Sequence, residues 1–314
     1  MIAEKVDPGS KKVWSRVYSL EKTGTFSIND SSGALNPDMD CSRSVLEFIQ
    51  RLNTHCCGDY SGYRTGRIKN TLQILNLPND GRSVVLKKTS ANAADLPWPR
   101  RMEVWLKAMH RNYSRTAFIG SLALSCAGIP TPRPLAWWSS GTGLMKNSYY
   151  LYEKLSAEGT LSEKLQKIWM KDGDSATNEA TELISQMACL TRKMHSEGIR
   201  HGDIVSHNFL VRDNQCRLAL IDTDHVQPAY NFLPKAVQKF FDLRCLRRLD
   251  FSTQGQHFFL AEYFGRKISR KEWIAFRFWY LGGFSFRRWF KRLRKWLRGA
   301  DRKQPEGVAW WFPY

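Results

Sequence analysis

The sequence predicts an α+β chain of two lobes, a small β-rich N-lobe and a larger, mainly helical C-lobe. Three stretches predict it. Residues 71–77 and 83–88 are strand-like and flank the turn Pro78-Asn-Asp-Gly81. Residues 181–195 place Leu183, Ile184, Met187, Leu190 and Met194 on one helical stripe. Between His201 and Asp224, two short apolar runs, 208–211 and 218–221, form a hairpin around the polar turn Arg212-Asp213-Asn214.

The hairpin reads HGDIVSHNFLVRDNQCRLALIDTD and carries its polar groups at its ends. Asp203 precedes the first strand, Asn208 opens it, and Asp222 follows the second. An Asp can orient or deprotonate an attacking hydroxyl, and an Asn oxygen with a second Asp can hold Mg²⁺ against nucleotide phosphates. The spacing H-G-D-x-x-x-x-N, followed by a strand ending in Asp, is that of a protein-kinase catalytic loop and its metal-binding Asp. A D-x-x-x-x-N alone occurs often by chance, and a plain hairpin with acidic turns has the same acids. The whole combination is much more specific, and the fold expected is two-lobed and protein-kinase-like.

Taken in order, residues 1–57 form a polar lead-in rich in Gly, Ser, Asn and Asp, then a helix over 43–53. Ser42 caps that helix, and Val45, Phe48, Ile49 and Leu52 share its packing face. The N-lobe spans 58–153. Gly62 and Gly66 lie in a glycine-rich run that does not fit G-x-G-x-x-G. It suits a phosphate-covering loop and equally suits a surface turn. Val84-Val85-Leu86-Lys87-Lys88 resembles the V-A-I-K strand, with Lys87 at the phosphate-binding position and Lys88 on the opposite face. Two solvated lysines at a strand end would read the same way. Residues 100–127 read as helix in two pieces, ending at Gly128 before Pro130. A kinase glutamate would sit there to pair the lysine. No acid lies between Val104 and Tyr152, and Glu103 is early. Residues 128–136, GIPTPRPLA, are a rigid connector. Residues 149–153 end at Glu153, where the backbone between lobes would meet adenine by position along the chain. The C-lobe spans 154–262, and residues 240–249 form a helix with basic and apolar faces. A C-terminal extension spans 263–314.

Composition narrows the partners. The 314 residues carry a net charge of +19, with a pI near 9.8, which favours phosphate-rich partners. Seven cysteines, odd in number and without C-x-x-C, suit reduced thiols in a cytosolic compartment. Residues 1–16 carry charges throughout, so no signal peptide is expected. No run of eighteen apolar residues suggests a transmembrane helix.

His201-Gly202-Asp203, Asn208, Ile221-Asp222, the GIPTPRPLA segment and Asp242-Leu-x-x-Leu together resemble the Kdo/WaaP lipopolysaccharide kinases over about residues 60–255. The resemblance implies ATP, Mg²⁺ and phosphorylation of a sugar hydroxyl, Kdo or heptose, in the lipopolysaccharide inner core. That places the chain in the cytoplasm, on the inner face of the bacterial inner membrane. By position it implies Asp203 as catalytic base, Asn208 and Asp222 as metal ligands, and Lys87 as phosphate contact. Gly202 stands where many kinases carry the arginine that reads a phosphorylated loop, so no such activation is expected. Thr223 and Asp224 replace Phe and Gly of D-F-G, and Asp224 suits either a metal or a turn cap.

Between Arg266 and Lys303 lie fourteen Lys or Arg and two acids, Glu272 and Asp301. Phe286, Trp289, Phe290, Leu293, Trp296 and Leu297 recur at helical spacing among the cations. Such a helix can lie in an anionic membrane interface, where each cation contributes about 1 kcal/mol, or pack its stripe on the C-lobe. Two further readings stand beside the sugar kinase. One is a kinase-like enzyme for another small-molecule or protein hydroxyl. The other is a pseudokinase serving as a basic membrane or RNA-binding module.

Overall fold

The computed structural model describes residues 8–28, 31–40, 42–54, 63–65, 69–77, 81–90, 112–140, 147–170, 174–212, 218–229 and 233–282. The chain opens with helix α1 (Pro8–Thr23), strands β1 (Thr25–Ile28) and β2 (Ser31–Leu35), and α2 (Ser42–Thr54). Then come β3 (Tyr63–Thr65), β4 (Lys69–Asn76), β5 (Ser83–Ser90), α3 (Tyr113–Cys126), β6 (Pro134–Ser140) and β7 (Asn147–Glu153). The C-lobe follows with β8 (Gly159–Thr160), α4 (Leu161–Trp169), α5 (Asp174–Ser196), β9 (Ile199–His201), β10 (Phe209–Val211), β11 (Leu218–Leu220) and β12 (Val226–Pro228). It ends in α6 (Lys235–Cys245), α7 (Thr253–Phe264) and α8 (Arg270–Leu281). The architecture is the two-lobed kinase-like one.

The N-lobe is one antiparallel sheet in the order β1-β2-β6-β7-β5-β4-β3. Its core joins Val45, Phe48 and Ile49 of α2 to Leu86, Trp138 and Leu151 on the sheet. Each such side chain stabilises the lobe by roughly 1.5–3 kcal/mol when fully buried. Leu52 packs at the margin. The Ser42 hydroxyl donates to the Met39 carbonyl at 3.1 Å.

Two expected boundaries are corrected. Residues 1–57 are not a lead-in, because β1 and β2 complete the N-lobe sheet through β6. β2 hides this by its composition, Ser-Ser-Gly-Ala-Leu, which has no alternation of large apolar residues. Small residues are required there. A Cβ on Gly33 would sit 2.0 Å from the Trp137 carbonyl oxygen. The C-lobe also does not end at 262. α8 belongs to its core, with Phe276 and Trp279 buried and the Trp279 indole donating to the Phe240 carbonyl at 2.8 Å. The Gly62 and Gly66 positions, Glu103 and the aromatic stripe from Phe286 onward lie outside the described residues. Among the described residues no helix is long and apolar enough to cross a membrane.

In the C-lobe, α5 buries the stripe expected of it, with Leu183, Ile184, Met187 and Met194 in the main core and Leu190 packed against it. α1 packs there too, through Val13, Trp14 and Val17, and its Trp14 indole donates to the Gly198 carbonyl at 3.2 Å. The Arg115 guanidinium binds both oxygens of Glu21 at 2.6 and 3.0 Å, tying α1 to α3.

His195 contacts the Tyr263 hydroxyl at 2.7 Å through Nδ1. Burial, then the charges of Arg200 and His201, push its pKa down to about 3 from 6.5. The folded state therefore keeps this imidazole neutral while the unfolded chain protonates it. Its contribution is complete above pH 6.5 and is lost as pH falls toward 3, at about 1.4 kcal/mol per pH unit. Urea unfolding at pH 7.5, 6.0 and 5.0 should show this slope, and His195→Gln should remove one proton's worth of it.

Candidate active site

The site forms where the sheet meets the C-lobe hairpin. Lys87 projects from β5, and its Nζ lies 2.7 Å from Asp222 Oδ1 and 3.4 Å from Asp224 Oδ2. Burial disfavours the ammonium, but Asp224 and Asp222 outweigh that and raise its pKa above the ordinary lysine value. For Asp222, burial raises the pKa, yet Lys87 wins and holds the carboxyl below its usual range. The Asp222 side chain is 38% exposed, so it remains open to the cleft. Asp222 also has φ 58° and ψ 53°, the one positive φ outside glycine among the described residues. Asp tolerates this left-handed conformation better than most side chains.

His201 joins the two acidic segments. The Asp203 backbone N–H donates to His201 Nδ1 at 3.2 Å, and His201 Nε2 lies 3.1 Å from the Asp222 carbonyl oxygen. The first bond makes Nδ1 an acceptor, so the proton resides on Nε2 and the second bond is a donation. Burial lowers the His201 pKa and keeps the ring in this neutral form. Asn208 completes the set. Its side-chain NH₂ donates to the Asp203 carbonyl at 2.9 Å, which leaves Oδ1 as an acceptor, and its own carbonyl accepts from Ile221 at 2.8 Å. The structure thus brings together Lys87, Asp203, Asn208 and Asp222.

Among the described residues, α3 carries no acidic residue along its length, and Lys87 pairs with Asp222 and Asp224. α3 is fastened to the Asp-Thr-Asp segment by hydroxyls. Thr223 donates to the Ala117 carbonyl at 2.8 Å, and its Oγ1 lies 2.8 Å from Ser121, which lies 2.7 Å from the Tyr150 hydroxyl. Each hydroxyl has one proton, so the chain must run Tyr150 to Ser121 to Thr223 to Ala117. Gly120 permits this approach, since a Cβ there would lie 2.4 Å from the Thr223 carbonyl oxygen. Gly120→Ala should destabilise the fold by about 1–3 kcal/mol through overpacking, read as a lower urea midpoint, although Ala is the better helix former.

The catalytic-loop stretch is clamped at three points from residues 242–250. Arg200 binds Asp242 at 2.6 Å, Arg248 lies 2.6 Å from Asp203 Oδ1, and Ser206 donates through Oγ to Asp250 at 2.6 Å. Sequence reasoning missed Arg248, Asp250, Ser121 and Gly120 entirely, and had left the role of Asp224 open. Arg200, directly before His201-Gly-Asp, was the one available signal.

Glu153, expected at the adenine contact, has its backbone N–H already engaged. Its N–H donates to the Arg133 carbonyl at 3.0 Å, and its carboxylate lies 3.5 Å from Arg82 and 3.9 Å from Arg133. The residue closes β7, and its amide is not open to a base. Lys88 lies on the other face of β5 from Lys87, 5.8 Å from the centre of the Tyr149 ring.

Fold and site define a protein-kinase-like chain, with the strand lysine facing an Asp-terminated hairpin. The chain belongs to the lipopolysaccharide kinase (Kdo/WaaP) family, whose sequence model matches residues 118–280. It is 28% identical over 124 residues to 3-deoxy-D-manno-octulosonic acid kinase of Vibrio vulnificus strain YJ016, covering 40% of this chain and 48% of that protein. The protein of the same name from strain CMCP6 gives the same values. The chain spans about half the length of the curated relatives it matches. Among solved structures it is similar to WaaP in complex with acyl carrier protein, with TM-score 0.48, 19% identity and coverage of 70% and 85% of the two chains. It is also similar to the BubR1 kinase domain, with TM-score 0.34, 17% identity and coverage of 78% and 66%.

Proposed function

We propose that the chain transfers the γ-phosphoryl group of ATP to a sugar hydroxyl, Kdo or heptose, of the lipopolysaccharide inner core. One observation carries this: Lys87 meets Asp222 beside a loop that presents Asp203 and Asn208. Asp203 orients the acceptor hydroxyl and takes its proton on a carboxylate oxygen. Lys87 is kept cationic by its two acids and is poised to hold nucleotide phosphate oxygens.

The donor set suits Mg²⁺. Among the described residues no three His, Cys, Asp or Glu side chains gather as a metal cluster. The candidate ligands are the Asn208 amide oxygen and the Asp222 carboxylate, both hard oxygens, as expected of an ion that takes its remaining ligands from water and phosphates. Bound there, Mg²⁺ would neutralise charge on the transferring phosphate.

The family's acceptor and the one-sided charge of residues 266–303 support a place on the cytoplasmic face of the inner membrane, held by cations on anionic lipid. Incubation with γ-labelled ATP, Mg²⁺ and purified lipopolysaccharide core acceptors tests the proposal. Label in the core supports it. Label only in other small-molecule or protein acceptors refutes the acceptor class. Liposome or RNA binding with no transfer refutes the enzyme.

A further inference from the structure

The two acids that meet Lys87 are not equivalent. Asp222 makes the shorter contact, 2.7 Å from Nζ, but its side chain is 38% exposed toward the cleft. Asp224 lies 3.4 Å from Nζ and is only 9% exposed. Both of its oxygens face protein groups, Oδ2 toward Lys87 and Oδ1 toward His225 Nε2 at 3.5 Å.

The backbone of Asp224 is also firmly held. It sits in a single tight turn, Thr223–His225. Before it, Thr223 donates to the Ala117 carbonyl of α3. After it, Val226 of β12 pairs with His201 of β9. A carboxylate fixed on both sides and shut from the cleft is badly placed to meet an incoming ion and well placed to hold a lysine.

Asp222 has the opposite character, open to the cleft and suited to Mg²⁺. An ammonium and a divalent ion on one carboxylate repel each other at close range. Lys87 therefore gives up its short contact when Asp222 serves a metal. Asp224 is already within reach, so the change of partner needs no large movement of the lysine.

Resting on the activity proposed above, we infer that Asp224 is the positioning residue for Lys87, holding the ammonium toward the nucleotide phosphates while Asp222 serves the metal. Asp224 then acts through Lys87 and is not itself a metal ligand.

The test measures ADP affinity by calorimetry on the full chain, with and without Mg²⁺. The variants are Asp224→Asn, Lys87→Met and the two combined, with melting temperature as the check on folding. Asp224→Ser repeats the cycle if the Asn variant melts early. With Mg²⁺ present, Asp224→Asn should weaken ADP by about tenfold, an ordinary coupling between sites. In the Lys87→Met background the same change should alter affinity by no more than about twofold, the scatter of uncoupled effects. Without Mg²⁺ the loss should shrink, because Asp222 still holds the lysine. A loss that persists in the Lys87→Met background overturns the inference, since Asp224 would then act on the metal or through its charge alone. No loss with Mg²⁺ present overturns it too. The expected pattern in a chain that transfers no phosphate to lipopolysaccharide core acceptors sinks the proposed activity but keeps the role of Asp224. Transfer without the pattern sinks that role but keeps the activity.

Discussion

Asp203→Asn is expected to lower kcat for phosphate transfer by about 10²–10⁴-fold, the usual contribution of a positioned general base, with little change in ATP affinity. The asparagine keeps size and shape but cannot accept a proton at pH 7. Its backbone N–H bond to His201 and its carbonyl bond to Asn208 involve no side-chain oxygen, so the loop should hold. The Arg248 contact loses its ionic partner, yet that guanidinium side chain is 54% exposed and can turn to water. ATP affinity should survive because Lys87, Asp222 and Asp224 are untouched. Single-turnover transfer at saturating acceptor and a separate nucleotide titration check both halves. A variant within tenfold of the native rate would remove Asp203 from the chemistry.

The largest effect on stability is expected at Arg200. Arg200→Met should cost about 3–5 kcal/mol, because it strands the Asp242 carboxylate without its cation. Arg200 is 2% exposed, and its guanidinium reaches Asp242 Oδ1 at 2.5 and 2.6 Å. Burial nevertheless dominates and raises the Asp242 pKa, outweighing the attraction of Arg200. The pair is therefore costly to desolvate and costlier to break. Replacing both partners, as Arg200→Met with Asp242→Leu, should recover most of the lost stability. Denaturant unfolding of the two singles and the double decides this. A double variant no more stable than the worse single would show that the pair itself supports the fold. The bond also ties β9, which enters the catalytic loop, to α6, so transfer rates in the double variant report how far loop placement depends on it.

Much of the site was legible because it is local. Asp203, Asn208 and Asp222 lie within twenty residues, and strand-turn-strand chemistry places them at the same ends of one hairpin. Lys87 needed the later motifs as well, because two solvated lysines at a strand end read the same way as the V-A-I-K position. What stayed hidden is non-local. β2 carries small residues because β6 approaches closely, and nothing near residue 33 announces Trp137. Arg248 read as part of the basic face of a helix over 240–249, and only the fold brings it to Asp203 and Asp250 to Ser206. Thr223 read as a departure from a motif, although its hydroxyl fastens α3. Glu153 was placed by order along the chain, and its amide donates to the Arg133 carbonyl just ahead of β6.

Trp14 donates its indole to Gly198 across 184 positions. At synthesis rates of about 5–20 residues per second, roughly 10–40 s separate the two residues on the ribosome. Throughout that interval the indole and its neighbours Val13 and Val17 have no C-lobe to dock on. The earliest helix is thus also a late one to settle, and a nascent chain stalled before residue 198 would offer an uncovered greasy ridge to chaperones and to its own copies.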